Sequence, residues 1–327
     1  MNNRNTLDSI GFYTLSDERC KTATSATRLM RCELVLSDAC NFKCPYCRGQ
    51  RKDLRSHMSL AEAKHVVDLW VKDDIKNIRF SGGEPTVWKG IVELVAYTKK
   101  CGVERIAVST NGSADFSLYQ QLIDAGVNDF SVSLDACCSA FGDKMAGVNG
   151  AWDVVVANIA RLSRVSYTTV GIVVTDETVH QLKETVEFAA ELGVSDIRII
   201  SAAQYNELLL VAETISPDIY ERYPILKYRI ENIKSGINVR GISDSDSSKC
   251  WIAMDDMAVA GDYHYPCIIY MREQGNPIGT VGDNMRKERA DWVASHDAKS
   301  DPICKNNCLE CIVQYNRDYR DYHGLVD

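Results

Sequence analysis

The sequence predicts an α/β fold: a partial (βα)6 parallel barrel that stays open, followed by a small cysteine-rich C-terminal domain. Two observations carry this. Between residues 33 and 201, short apolar runs alternate with longer amphipathic ones, the signature of right-handed βαβ crossovers on a parallel sheet. Beyond Ser201 the alternation stops and cysteines accumulate. The expected strands are 33–37, 77–81, 105–109, 129–134, 168–174 and 196–201, mostly rich in Val, Ile, Leu and Phe, as buried parallel strands are. The expected helices are 59–72, 88–101, 116–126, 151–164 and 178–192. Ser59 followed by Leu60-Ala61-Glu62 forms a capping box. Gly102, Gly126 and Gly193 close helical runs, where a left-handed terminus favours glycine. Six strands are too few for a closed eight-stranded barrel. A helix at 216–235, a short strand at 237–240 and a polar linker at 243–248 are expected next. The tail from Cys250 is irregular and aromatic, with Gly261 and Pro266 consistent with a hairpin. The expected divisions are therefore 1–32, 33–201, 202–249 and 250–327.

The chain has 327 residues, 45% apolar and 25% charged, which excludes wholesale disorder. Its net charge of −8 argues against nucleic acid as the main partner, since phosphate binding wants a basic face. No apolar run is long enough for a membrane span, and residues 1–6 lead into no signal-peptide core, so the expected compartment is the cytoplasm. There are thirteen cysteines, an odd number, and a reducing compartment disfavours disulfides. Metal or redox chemistry is the better reading.

Three cysteines, Cys40, Cys44 and Cys47, follow the first strand within eight residues. Three thiolates are one fewer than a closed four-iron cluster requires, which leaves one iron open. A zinc loop is the alternative. One βα unit later, Ser81-Gly82-Gly83-Glu84-Pro85 closes the second strand. The Cys-x3-Cys-x2-Cys loop, with aromatic Tyr46 before its last cysteine, resembles that of the radical S-adenosylmethionine (radical SAM) superfamily, and Gly82-Gly83-Glu84-Pro85 resembles its GGEP motif. The resemblance implies a four-iron, four-sulfur (4Fe-4S) cluster on Cys40, Cys44 and Cys47. It also implies SAM held near Tyr46, Gly82, Gly83, Glu84 and Pro85, with Glu84 facing the SAM ammonium. Polar groups at the ends of later strands, here Asn111 and Ser133, stand where the family contacts the SAM carboxylate and ribose; a turn or capping role is the alternative for both. The C-terminal ends of the strands are where βα barrels place active sites. Arg198 lies within the sixth strand and needs an anionic partner: a SAM or substrate carboxylate, or a structural ion pair.

Cys250-x16-Cys267 and Cys304-x3-Cys308-x2-Cys311 resemble the shortened SPASM, or twitch, extension of the same superfamily. That implies a second, auxiliary 4Fe-4S cluster, on Cys250, Cys267, Cys308 and Cys311, with Cys304 as a competing ligand. Structural zinc is the alternative. The resemblance implies reductive cleavage of SAM to a 5′-deoxyadenosyl radical, which takes a hydrogen atom from the substrate. An electron donor such as flavodoxin or ferredoxin is implied with it. The expected substrate is a small polar metabolite (a sugar, aminocyclitol or nucleotide), and the outcome an oxidation, epimerisation or rearrangement. A peptide-modifying enzyme is the second reading, although the roughly 32 residues before the first strand are too few for a separate peptide-binding domain. A non-catalytic metal-binding module is the third. Asp135 is a candidate catalytic residue, and so are Cys137 and Cys138 just after it, as hydrogen-atom donors; small cysteines packed in a loop are the alternative for the two thiols.

Overall fold

A computed structural model describes residues 18–48, 57–202 and 206–325. Six strands run in parallel in the expected order: β1 (Arg31–Val35), β2 (Asn77–Ser81), β3 (Arg105–Thr110), β4 (Asp129–Ser133), β5 (Tyr167–Val174) and β6 (Asp196–Ser201). Between them lie α1 (Leu60–Lys72), α2 (Ile91–Lys100), α3 (Phe116–Ala125), α4 (Ser139–Ala146), α5 (Ala151–Val165) and α6 (Leu182–Glu191). The Ser59 capping box is formed. Residues 88–90 and 178–181 stay outside the regular helices expected there. The alternate strand positions Cys32, Leu34, Ile78, Phe80, Ile106, Val108, Phe130, Val132, Val170, Ile197 and Ile199 are buried within one large apolar core with the helices. The opposite face is polar, and this difference makes the fold useful.

The sheet does not stop at six strands. β7 (Asp256–Ala260) pairs in parallel with the free side of β1, Arg31 opposite Asp256 and Val35 opposite Ala260. β8 (Tyr263–Tyr265) and β9 (Gly279–Thr280) follow antiparallel, giving one nine-stranded sheet with β6 and β9 at its two edges. The expected hairpin is thus present, turning at Gly261 with φ of 57°. Pairing crosses the division expected at residue 250 because every β7 residue is buried. Arg289 locks the joint from below, donating Nε to the Ala253 carbonyl at 2.7 Å and Nη1 to that of Tyr265 at 2.8 Å.

Several expectations are corrected beyond Ser201. The helix expected at 216–235 is two, α7 (Pro217–Tyr220) and α8 (Pro224–Lys234). Pro224 forces the break, since it cannot continue a preceding helix but starts one well. The strand expected at 237–240 reduces to a single bridge between Arg240 and Leu309. The polar stretch 243–248 is no free linker: Asp246 is buried, accepts from Ser243 and pairs with Arg317. The tail is largely helical, with α9 (Ile268–Arg272), α10 (Met285–Ser295), α11 (Pro302–Asn307) and α12 (Glu310–Tyr322). The buried ion pair of Arg229 with Glu310, 2.7 Å, fastens α12 to α8.

Candidate active site and auxiliary metal centre

The loop carrying Cys40, Cys44 and Cys47 leaves the top of β1 and is held from three sides. The Lys43 N–H donates to the Ala146 carbonyl at the end of α4, 2.8 Å away. Gly147, at φ 66°, follows; a Cβ there would stand 2.7 Å from the Lys43 carbonyl oxygen. Asn111 donates its amide to Asn41 Oδ1 at 2.8 Å and reaches Cys40 Sγ at 3.9 Å, while Asn41 donates to Ser113 at 2.8 Å. On the third side the Tyr46 hydroxyl donates to Asp135, whose other oxygen accepts the Val173 N–H at 2.8 Å. Cys40 and Cys47 are exposed and Cys44 half-buried. The three thiols lie close enough to repel one another as thiolates, and burial pushes Cys44 up to about 11. Such thiols need a cation to ionise, and one rim of exposed sulfur suits a shared metal centre.

The glycine turn braces this loop from below. Gly83 N–H donates to the Ser37 carbonyl at 2.8 Å and Glu84 N–H to that of Ala39 at 2.9 Å. A Cβ at Gly82 would stand 2.4 Å from the Ser37 carbonyl oxygen, and one at Gly83 2.4 Å from that of Ala39. Both glycines are therefore required by the chain leading to Cys40. Pro85 is buried at the start of a short 3-10 turn. Glu84 is 1% exposed. Its Oε1 accepts from the Thr86 N–H at 3.0 Å and from the Thr86 and Thr110 hydroxyls at 2.7 Å each; its Oε2 accepts from the Asn111 N–H at 2.6 Å. Burial raises its pKa against the pull of these donors. In this arrangement the carboxylate staples β2 to β3 and so orients Asn111.

Ser133 is exposed at the end of β4. Asp135, half-buried, has its pKa raised by desolvation to about 6. Its contacts make it a brace between Tyr46 and β5. Cys137 packs against the start of α6, 3.8 Å from Gln181 Oε1, and Cys138 is the residue before α4. Arg198 projects from β6 toward Ser131, 3.5 Å away. The support from α4, Thr86 and Thr110 was not anticipated; the Ser109-Thr110-Asn111-Gly112 stretch was the available signal.

A second thiol cluster forms in the tail. Cys250, Cys304 and Cys308 line one cavity between α11, α12 and the loop before β7. Burial raises the thiol pKa of all three, and repulsion from Cys267, which is near each of them, adds to it. Burial pushes Cys250 up to about 12 and Cys267 to about 11. Cys311 is 3% exposed and packs in an apolar cluster with Cys20, Ile252 and Tyr315. His296 Nε2 lies 3.6 Å from Cys304 Sγ. Four converging thiols, none in a disulfide, fit an iron–sulfur group or a metal ion.

Residues 34–189 match the family model described as Radical SAM superfamily. That stretch contains the end of β1, the cysteine loop, the glycine turn and strands β2 to β5. The chain carries a radical SAM domain. It is 27% identical over 171 residues to a probable GTP 3′,8-cyclase of Metallosphaera sedula, covering 51% of this chain and 54% of that one. It is 29% identical over 210 residues to the AdoMet-dependent heme synthase of Methanosarcina barkeri, covering 61% and 57%. The chain thus spans about half the length of these curated relatives. Native anSMEcpe, solved with bound AdoMet and Kp18Cys peptide, superposes with a TM-score of 0.64 at 16% identity, covering 90% of this chain and 97% of that one. At that identity the likeness speaks for the fold, which includes the tail. The radical SAM domain uses a 4Fe-4S cluster and SAM, and the cysteine-rich tail fits an auxiliary cluster. Among the described residues, no helix is long and apolar enough to cross a membrane.

Proposed function

We propose that this radical SAM protein is an enzyme that takes a hydrogen atom from a small polar metabolite held in the barrel lumen. Cys40, Cys44 and Cys47 hold the first cluster. When bound, it supplies an electron to the SAM sulfonium, whose cleavage to methionine and a 5′-deoxyadenosyl radical starts the reaction. The protein's own part is positional: the Glu84 staple, Asn111 and the Tyr46–Asp135 contact fix the loop, and Ser133 presents a free hydroxyl at the mouth. Cys250, Cys267, Cys308 and Cys304 hold the auxiliary cluster, with Cys304 favoured over Cys311 because it lines the cavity.

The observation that carries the substrate class is the inner face of the sheet. Arg79, Ser109, Ser131, Ser133, Thr169 and Arg198 alternate with the apolar residues of the core, leaving a polar, partly charged interior. A ligand there needs hydrogen-bonding groups to replace lost water. The test is anaerobic incubation of reduced enzyme with SAM in deuterated water, comparing pools of sugars, nucleotides and short peptides. Release of 5′-deoxyadenosine stimulated by a small polar compound supports the reading. Stimulation by peptides alone refutes it in favour of peptide modification.

A further inference from the structure

The inner face of the barrel carries four arginines: Arg31 on β1, Arg79 on β2, Arg105 on β3 and Arg198 on β6. Three are matched by carboxylates. Arg31 pairs with Asp256 at 3.3 Å; Arg105 and Arg79 share Asp129 at 3.0 and 3.7 Å. Just outside this set, Arg229 has Glu310. Arg198 has no carboxylate within ion-pair distance among the described residues. Among the described residues its single hydrogen bond is the long one to Ser131, and its Nε is buried without a partner there. Glu33, the acid whose charge it feels, is already engaged by the Ser81 hydroxyl at 2.6 Å, with Arg272 3.8 Å away. The guanidinium lies across Gly171, where a Cβ would stand 3.4 Å from Nη2. Burial holds the Arg198 pKa down, and the charges of Arg79, Arg229 and Arg31 lower it further against the opposing pull of Glu33, so the surroundings on balance disfavour its charge. A desolvated guanidinium in that position is costly unless an anion joins it.

We infer that Arg198, with the Ser131 hydroxyl, is the docking point for an oxyanion, a carboxylate or phosphate, carried by the substrate. Register supports assigning it to the substrate over SAM. Arg198 stands level with Gly171 and Ser133, but its guanidinium turns back toward Ser131, one inner-face position deeper than Ser133 and the cysteine-loop braces. A planar guanidinium with free N–H groups suits a bidentate oxyanion. This rests on the proposed reading of the lumen as the substrate site. It narrows the substrate to an acidic metabolite, a phosphorylated sugar, nucleotide or sugar acid, and disfavours a cationic aminocyclitol.

The test uses the reconstituted holoprotein and calorimetric titration of three probes: SAM, inorganic phosphate and acetate, the last two with SAM already bound. The variants are Arg198→Gln and Arg198→Lys. Wild type should bind at least one of the two anions. Arg198→Gln should weaken that binding by about tenfold or more, while SAM affinity changes less than about threefold. Arg198→Lys, keeping the charge without the fork, should fall between. In anion-free buffer Arg198→Gln should also melt no lower than wild type, because it removes an unmatched buried charge. No anion binding by wild type, or equal binding by Arg198→Gln, overturns the inference. So does a loss of SAM affinity with anion binding intact, which would give Arg198 to the SAM carboxylate. Reductive SAM cleavage is followed separately, so absence of turnover would sink the enzymatic reading without touching the anion site.

Discussion

Gly83→Ala isolates the contact on which the cysteine loop rests. The added Cβ would stand 2.4 Å from the Ala39 carbonyl oxygen, 2.6 Å from that of Asp38 and 2.7 Å from the Ala39 carbonyl carbon. Ordinary contact begins near 3.4 Å, so the backbone leading into Cys40 must retreat by about 1 Å. All three obstacles are main chain, so no side chain can swing away. Gly83 is not among the glycines at positive φ, so the substitution tests space alone. Overpacking of this kind costs about 1–3 kcal/mol. The retreat also loosens the Gly83–Ser37 and Glu84–Ala39 hydrogen bonds, each worth about 1 kcal/mol net. Together these give a loss of about 2–5 kcal/mol and, for a chain of this size, a fall in Tm of roughly 3–7 °C. Calorimetry of the metal-free protein reads the Tm; iron analysis and SAM titration read the displaced loop. SAM affinity should drop, and the rate of reductive SAM cleavage should fall by about a hundredfold, the scale of a 1 Å misplacement. A variant with wild-type iron content, SAM affinity and Tm would refute the claim that these glycines exist to seat the loop.

Other outcomes follow from single contacts. Glu84→Ala strands four donors, one of them (the Thr110 hydroxyl) buried and three part-buried, and should cost about 3–5 kcal/mol in urea unfolding; Glu84→Gln, which keeps two acceptor lone pairs, should cost about half as much. Equal stability of both variants and wild type would mean the staple is not formed. Cys304→Ser should lower the tail's iron occupancy more than Cys311→Ser, measured in protein lacking Cys40, Cys44 and Cys47; the reverse order would return Cys311 to the ligand set. Burial raises Asp196 to about 7, despite the Ile225 N–H it accepts at the start of α8. Its folded pKa exceeds its unfolded one, so its contribution to stability is full below about pH 4 and lost as pH rises through about 7. Asp196→Asn should flatten the pH dependence of Tm between about pH 4 and 7, and an unchanged slope would contradict this.

Much of the barrel was legible because its strands are short apolar runs with clear punctuation. β2 and β6 span 77–81 and 196–201 as read, and the Ser59 cap is local chemistry visible in four residues. The helix α4 escaped notice because Ser-Ala-Phe-Gly-Asp-Lys-Met-Ala has little helical periodicity and a glycine in its middle. Its purpose, to present Ala146 to Lys43, is a contact across about a hundred residues. The 243–248 stretch reads as solvent-facing from composition, and only the distant Arg317 makes it a packed turn. The cysteines and the glycine turn were readable as motifs, whereas their reasons were not. Gly82 and Gly83 serve a close crossing of main chains, and Asp135 serves Tyr46. Likewise, the isolation of Arg198 depends on the charges of four strands at once, which no linear pattern displays.

The account rests on an N-terminal cluster open to SAM, distinct from a thiol-bound cluster in the tail, and low-temperature electron paramagnetic resonance of the dithionite-reduced protein tests this most directly. Wild type should hold about eight irons per chain and give two overlapping four-iron signals. Adding SAM should shift one of them. The triple variant Cys40→Ala, Cys44→Ala, Cys47→Ala should keep about half the iron and give a single signal blind to SAM. A SAM-sensitive signal that survives in the triple variant, or a wild-type protein whose single cluster ignores SAM, would contradict the account.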